Sequence, residues 1–412
     1  MTNTISNDKC FSILVLFTAL WWVFGPKITL IPVPGYEQGI RLEDVLFAGL
    51  FGIRSYITLS RRGHLEVLGG KYGSTLIVFM FASVVSSILI YESSFSALLF
   101  SIRWLEYLLM GAILFQVALL HRSKLLKLFK CYIVLNAFFA PFSLLSDERY
   151  TGLSAGPWEV STVALLLFIS LKPFLKSKRE LVLYALCVLI IIVSAQARIQ
   201  LLAYVTLLAL YKEMRHLLTA MALLSLIYLL PSGALDSVLQ MVRFDSIKLS
   251  SIVEISRAIR EAGVDANFHT LAETLPEQDE STIARLLIWS SFIYKWLDFG
   301  GFAIIFGIGP GVGGVVVDGL YIRLLTEFGA IGTFVFFLFM KKLMDRVNRE
   351  YRIQLILIIG IISLTNDPIT SQRIFSAICL SIGVLFACNG ELMMKKPVQA
   401  ETSHGRFSRY SR

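Results

Sequence analysis

The sequence predicts an all-α polytopic membrane protein, and three observations predict it. Of its 412 residues, 56% are hydrophobic and only 16% are charged. With a mean hydropathy of +0.71, there is too little polar surface to cover a soluble core. Apolar runs of roughly 15–25 residues recur along the chain, the length that crosses a bilayer as a helix. The links between these runs alternate between Lys/Arg-rich and Lys/Arg-poor, which assigns them to opposite sides. The net charge of +9 therefore implies no nucleic-acid partner, because basic residues of membrane proteins collect in cytoplasmic links.

The first run, "CFSILVLFTALWWVF", is apolar enough for the core of a signal peptide. It lacks a small-residue cleavage site and more runs follow, so it reads as the first span, 10–25. Further spans are expected at 43–60, 73–91, 96–120, 125–145, 158–173, 181–196, 199–211, 217–231, 318–340, 353–366 and 373–389, giving about 12 helices in all. The links "RRGHLEVLGGK", "HRSKLLK", "KPFLKSKRE", "KEMRH" and "KKLMDRVNREYR", with the tail "KKPVQAETSHGRFSRYSR", fall on one side. The positive-inside rule makes that side cytoplasmic and puts both termini there.

The other side holds 26–42, 92–95, 146–157, 197–198, 232–317 and 367–372. Residues 1–412 thus form a single integral membrane domain in which 232–317 is the one large extracytoplasmic loop. The second half of that loop, "RLLIWSSFIYKWLDFGGFAIIFGIG", is nearly apolar enough to be a span. Lys295 and Asp298 interrupt it, and counting it would invert everything that follows. It reads as an interfacial or re-entrant segment anchored by Trp289, Tyr294 and Trp296.

Cys10, Cys131, Cys187, Cys379 and Cys388 all lie in or beside apolar runs without a CxxC, so neither disulfides nor a thiolate metal site is expected. His64, His121, His216, His269 and His404 are scattered and form no ligand set; no metal and no cofactor are expected. "GIGPGVGG" lacks the Gly-Lys-Ser/Thr of a nucleotide loop, and no GxSxG or HExxH occurs. The chain also has no Asp-x-Asp to hold a metal-bound nucleotide sugar, so a nucleotide donor is not expected.

The informative charges lie outside the cytoplasmic links. Between Arg179 and Lys212 the chain is long enough only for two arms of roughly 24 Å, short of the roughly 30 Å hydrocarbon core. The tip "SAQARIQ" then sits at or just below the outer interface, and Arg198 meets lipid phosphates or simply snorkels. Arg149 lies in "DERYTGLSAGPWE", where Gly152, Gly156 and Pro157 permit turns. Arg285 in "DESTIARLLIW" and Arg373 in "NDPITSQR" open apolar segments, as substrate contacts or as interfacial anchors. Arg103 and Glu106 lie inside the fourth span, and Arg323 and Glu327 inside the span after Asp318. Such residues are functional candidates, yet their i,i+3 and i,i+4 spacings also let them neutralise each other. Guanidinium groups bind phosphate oxygens in pairs and stay charged, so several arginines at one interface suit a lipid-linked diphosphate.

Taken in order, "RYTGLSAGP", "SAQARIQLL", a large loop, "ARLLIW", "GIGPGVGG" and "DGLYIRLLTEFGAIG" resemble the bacterial O-antigen polymerase and O-antigen ligase superfamily. The resemblance covers roughly residues 145–335; each motif is weak alone, and order, spacing and sidedness agree. It implies a GT-C-like membrane fold with one large periplasmic loop, in the cell inner membrane. Ligases of the superfamily usually carry a histidine where the glycine-rich strip meets the next helix. Here that position reads Asp318-Gly319, which favours polymerase.

The expected activity is inverting glycosyl transfer between undecaprenyl-diphosphate-linked oligosaccharides. Arg149, Arg198 and Arg285, with Arg373 less so, would stabilise the leaving diphosphate. Asp318 would accept the acceptor proton or merely cap its helix, and Tyr321 would help orient the acceptor. Catalytic roles fall to Asp318, Arg285 and Arg198. The partners are then those lipid-linked glycans, membrane lipid and, from the family alone, a polysaccharide chain-length regulator. An O-antigen ligase, or a flippase or other transporter, stays open. A transporter should show repeated halves and charges near the midplane of several helices, whereas this chain has one oversized outer loop between spans nine and ten and its unmatched arginines near the outer face.

Overall fold

The computed structural model describes residues 9–33, 36–60, 68, 70–91, 94–144, 149–152, 156–211, 253, 257–258, 261, 280–298, 300–310, 319–369 and 371–394. The helices are α1 (Lys9–Phe24), α2 (Leu42–Ser60), α3 (Lys71–Tyr91), α4 (Ser94–Leu120), α5 (Arg122–Leu144), α6 (Pro157–Leu171), α7 (Lys178–Ser194) and α8 (Arg198–Leu210). After these come α9 (Glu280–Asp298), α10 (Gly300–Phe306), α11 (Leu320–Met344), α12 (Arg349–Ile362) and α13 (Gln372–Met394). A helix stands at each expected span except 217–231, which lies outside the described residues.

Among the described residues, four stretches are long and apolar enough to cross a membrane: Leu98–Leu120, Arg122–Ser143, Pro157–Phe174 and Leu320–Met344. Composition explains their course. α6 starts with Pro157 at its first position, where the missing N–H is no loss, and is buried without interruption from Glu159 to Leu171. A helix apolar on every face belongs at a centre, and α6 packs against α5, α7 and α13. α13 is sandwiched between α4 and α6, while α12 lies on α8 and α11 on α3. At the α4–α13 contact, a methyl group added to Gly111 would stand 3.0 Å from the Cys379 sulfur, and one added to Gly383 2.6 Å from Ala118. Small residues bring these two backbones together, as helices in lipid require. On the periphery α5 exposes Phe138, Phe139 and Phe142, a face that suits lipid and not water.

One link departs from the all-α expectation. Residues 26–42 contain strands β1 (Thr29–Val33) and β2 (Tyr36–Arg41), antiparallel, with Ile31 opposite Ile40.

The apolar half of the large loop folds back on itself. α9 turns into α10, and the Trp296 indole N–H donates to the Ala303 carbonyl at 2.8 Å. Phe292, Ala303 and Ile308 form a small core with Ile288, Trp289, Trp296 and Ile322, separate from the core of the bundle. The chain then meets α11 at a break. Gly329 has φ 65 and ψ −172, which interrupts the helical hydrogen bonds. The Ile308 N–H donates to the Thr326 carbonyl at 2.8 Å and the Gly309 N–H to the Glu327 carbonyl at 3.0 Å. Carbonyls released inside an apolar helix need such donors.

Candidate functional site

Described residues of several Lys/Arg-poor links are joined by contacts into a belt. At one edge, Trp289 of α9 lies 3.3 Å from where a methyl on Gly319 would stand. Next to it, the Leu320 N–H donates to the carbonyls of Ser363 and Asn366, tying the start of α11 to the turn after α12. That turn continues to Ser371, whose hydroxyl donates to Glu159 at 2.6 Å. Glu159 opens α6 behind the Arg149 link, and the Tyr150 N–H donates to the Ser194 carbonyl at 3.0 Å, at the tip that precedes Arg198.

This last bond joins the link that carries Arg149 to the tip that precedes Arg198. Arg149 is exposed and Arg198 half-buried. α7 and α8 have 17 and 13 residues, arms of roughly 25 and 20 Å, so their tip is as short as expected. The Arg149 link is clamped from below. The Tyr150 hydroxyl donates to Asn136 of α5 at 2.8 Å, and the Asn136 amide donates to the Tyr132 carbonyl at 2.8 Å. Burial pushes the Tyr150 phenol above its ordinary range, which keeps it a donor. Gly152 has φ +57, and a methyl there would stand 2.8 Å from the Asn136 oxygen, so the "TG" of the motif permits this close approach.

Arg285, half-buried, lies one turn before Trp289 on α9. Asp318 lies outside the described residues. Its neighbour Gly319 occupies the N-cap position of α11 without a side-chain cap, and its carbonyl accepts the first intrahelical bond, from Arg323 at 3.1 Å.

Two further expected residues have partners within the protein. Arg373, expected toward a diphosphate, is buried; it lies 3.8 Å from Glu159 and donates to the Gly25 carbonyl. It ties α13 to α6 and to the end of α1. The Tyr321 hydroxyl, expected on the acceptor, donates to the Gly360 carbonyl of α12 at 3.1 Å.

Beneath the belt lie three ionic clusters, each closed by residues distant in sequence. Lys27 pairs with Glu159 at 2.7 Å; burial pushes the Lys27 ammonium below its ordinary range, and Glu159 opposes that shift. Arg103 pairs with Asp44 and lies 3.6 Å from Glu106, and it also donates to the Gly39 carbonyl of the hairpin at 3.2 Å. Arg323 pairs with Glu327 and with Asp367, both at 2.9 Å. The expected i,i+3 and i,i+4 pairs are thus present, each extended by an acid from another element. Lys27, Asp44, Glu159 and Asp367 gave no sign in the sequence beyond being single charges near span ends. Among the described residues no three His, Cys, Asp or Glu side chains converge as a metal set. No protein-family model matches the chain, and no curated protein matches it.

Proposed function

We propose that the protein is an O-antigen polymerase, joining undecaprenyl-diphosphate-linked repeat units on the periplasmic face of the bacterial inner membrane. The observation that supports this reading is the Tyr150–Ser194 backbone bond, which ties the link that carries Arg149 to the tip that precedes Arg198. Guanidinium groups on two joined links suit a diphosphate, whose oxygens they can bind in pairs. In this reading about 12 spans cross the membrane with both termini in the cytoplasm, and the belt faces the periplasm.

The reaction is an inverting displacement. A hydroxyl oxygen of the acceptor sugar bonds to the anomeric carbon of the donor as the bond from that carbon to the diphosphate breaks. The electron pair leaves with the diphosphate, where Arg149, Arg198 and Arg285 stabilise the developing charge. The hydroxyl proton passes to Asp318. Arg373 and Tyr321 support the frame around the site.

Deletion of the gene tests the assignment by the lipopolysaccharide pattern on a gel. Lipid A-core carrying a single repeat is the expected result. Core without any repeat, with accumulated lipid-linked polymer, would identify a ligase instead. Core without repeat and without periplasmic polymer would identify a flippase.

A further inference from the structure

We propose that the strip Gly307–Gly309, seated in the break of α11, is a latch that positions the Arg285-bearing helix, with Gly307 and Gly329 as its positioning residues. The inference rests on the proposed function only for the role of Arg285; the latch itself stands on geometry.

The unit formed by α9, α10 and the strip packs its apolar residues on Ile322 of α11, apart from the main core of the bundle. Two further contacts orient it against α11. At the outer edge Trp289 packs on Gly319. At the inner edge the Ile308 and Gly309 N–H groups enter the break. Two points separated along α11, from Gly319 to Gly329, fix the direction of α9 as well as its distance.

The inner contact admits only glycine at both partners. A methyl on Gly307 would fall on the Glu327 carbonyl and on the Phe328 nitrogen. One on Gly329 would fall on the Gly307 nitrogen and the Ile305 carbonyl. Both glycines also have positive φ, +83 and +65, where a side chain is strained. The contact is reciprocal as well. Without the strip, two carbonyls of an apolar helix lose their donors; without the break, the strip has no acceptors. Strip and break therefore hold each other, and what they hold in common is the placement of α9.

The test uses the full chain in membranes with its five cysteines replaced by alanine. Spin labels on Leu297→Cys of α9 and on Leu364→Cys, both exposed, report the distance from α9 to the turn after α12. The glycine-intact protein should give one narrow distance. Gly307→Ala and Gly329→Ala should each lower the population at that distance about tenfold relative to all others, the change that about 1.4 kcal/mol makes in an equilibrium. Polymer length should fall with it. A broad distribution in the glycine-intact chain would overturn the latch, whether or not the alanine variants fold. Inserted alanine variants with the same narrow distance would overturn the positioning role. Because the distance does not depend on a glycan, these results judge the latch even if the deletion strain does not behave as a polymerase mutant.

Discussion

Arg323 on α11 donates to Asp367 at 2.9 Å across 44 residues of sequence, and its Nε donates to Glu327 one turn further on. All three side chains are buried, at 2%, 4% and 0% exposure. Buried ion pairs contribute little net stability, but removing one partner strands the other, at about 3–5 kcal/mol. Asp367→Asn and Arg323→Gln should therefore each lower the unfolding temperature of the detergent-purified protein sharply. The double variant should lose less than the sum of the two, by about 0.5–3 kcal/mol. Additive losses would show that the pair is not coupled.

Arg198 and Arg373 both stand at the Lys/Arg-poor end, yet the same substitution should affect them differently. Arg198 lies at the tip beside the Arg149 link, and lysine there keeps the charge but loses the planar fork. Arg198→Lys should reduce polymerisation about 100-fold, the scale for losing one preorganised donor to a developing charge, with insertion and thermal stability intact. Arg373→Lys should chiefly lower stability, because Arg373 reaches both Glu159 and the Gly25 carbonyl. Assays on purified, inserted protein with lipid-linked substrate separate the two. Full-length polymer from Arg198→Lys would remove Arg198 from the diphosphate site.

What the sequence revealed and what it concealed divide along the range of the interaction. Helix positions were legible because hydropathy is a local property, and Arg103–Glu106 and Arg323–Glu327 were legible because i,i+3 and i,i+4 neighbours share a helix face. Their third members were not, since Asp44 is 59 residues from Arg103 and Asp367 is 44 from Arg323. The Lys27–Glu159 pair spans 132 residues, and it shares Glu159 with Arg373. Gly329 looked like one more glycine in an apolar run. Its break depends on donors from Ile308 and Gly309, which no local pattern announces. The hairpin at Thr29–Arg41 was hidden in a link too short for its alternation to stand out from its prolines.

Tyr150 makes the Arg149 link a fixed structure. Its N–H holds Ser194 and its hydroxyl holds Asn136, so Tyr150→Phe removes one tether and leaves the other. A hydrogen bond of this kind contributes about 1 kcal/mol, so Tyr150→Phe should weaken lipid-linked substrate binding severalfold, seen as a higher KM with kcat little changed. Asn136→Ala should match it, and the double variant should be no worse than either. A fall in kcat alone would place the tyrosine in the chemistry and not beneath it.

Asp318 is the residue on which the placement of Gly319 bears most directly. A carboxylate before an apolar helix would ordinarily be read as an N-cap, whose loss costs about 1 kcal/mol. Here Gly319 occupies the N-cap position and its carbonyl accepts from Arg323. Asp318→Asn and Asp318→Ala should therefore leave the unfolding temperature nearly unchanged. If the carboxylate takes the acceptor proton, both should lose about 100-fold or more in turnover, in the range that general bases contribute, and asparagine should rescue nothing over alanine. The measurement is turnover with lipid-linked repeat units, beside a thermal melt of the same preparation. Full turnover in the asparagine variant would strip Asp318 of the base role. A destabilised alanine variant rescued by asparagine would return it to capping.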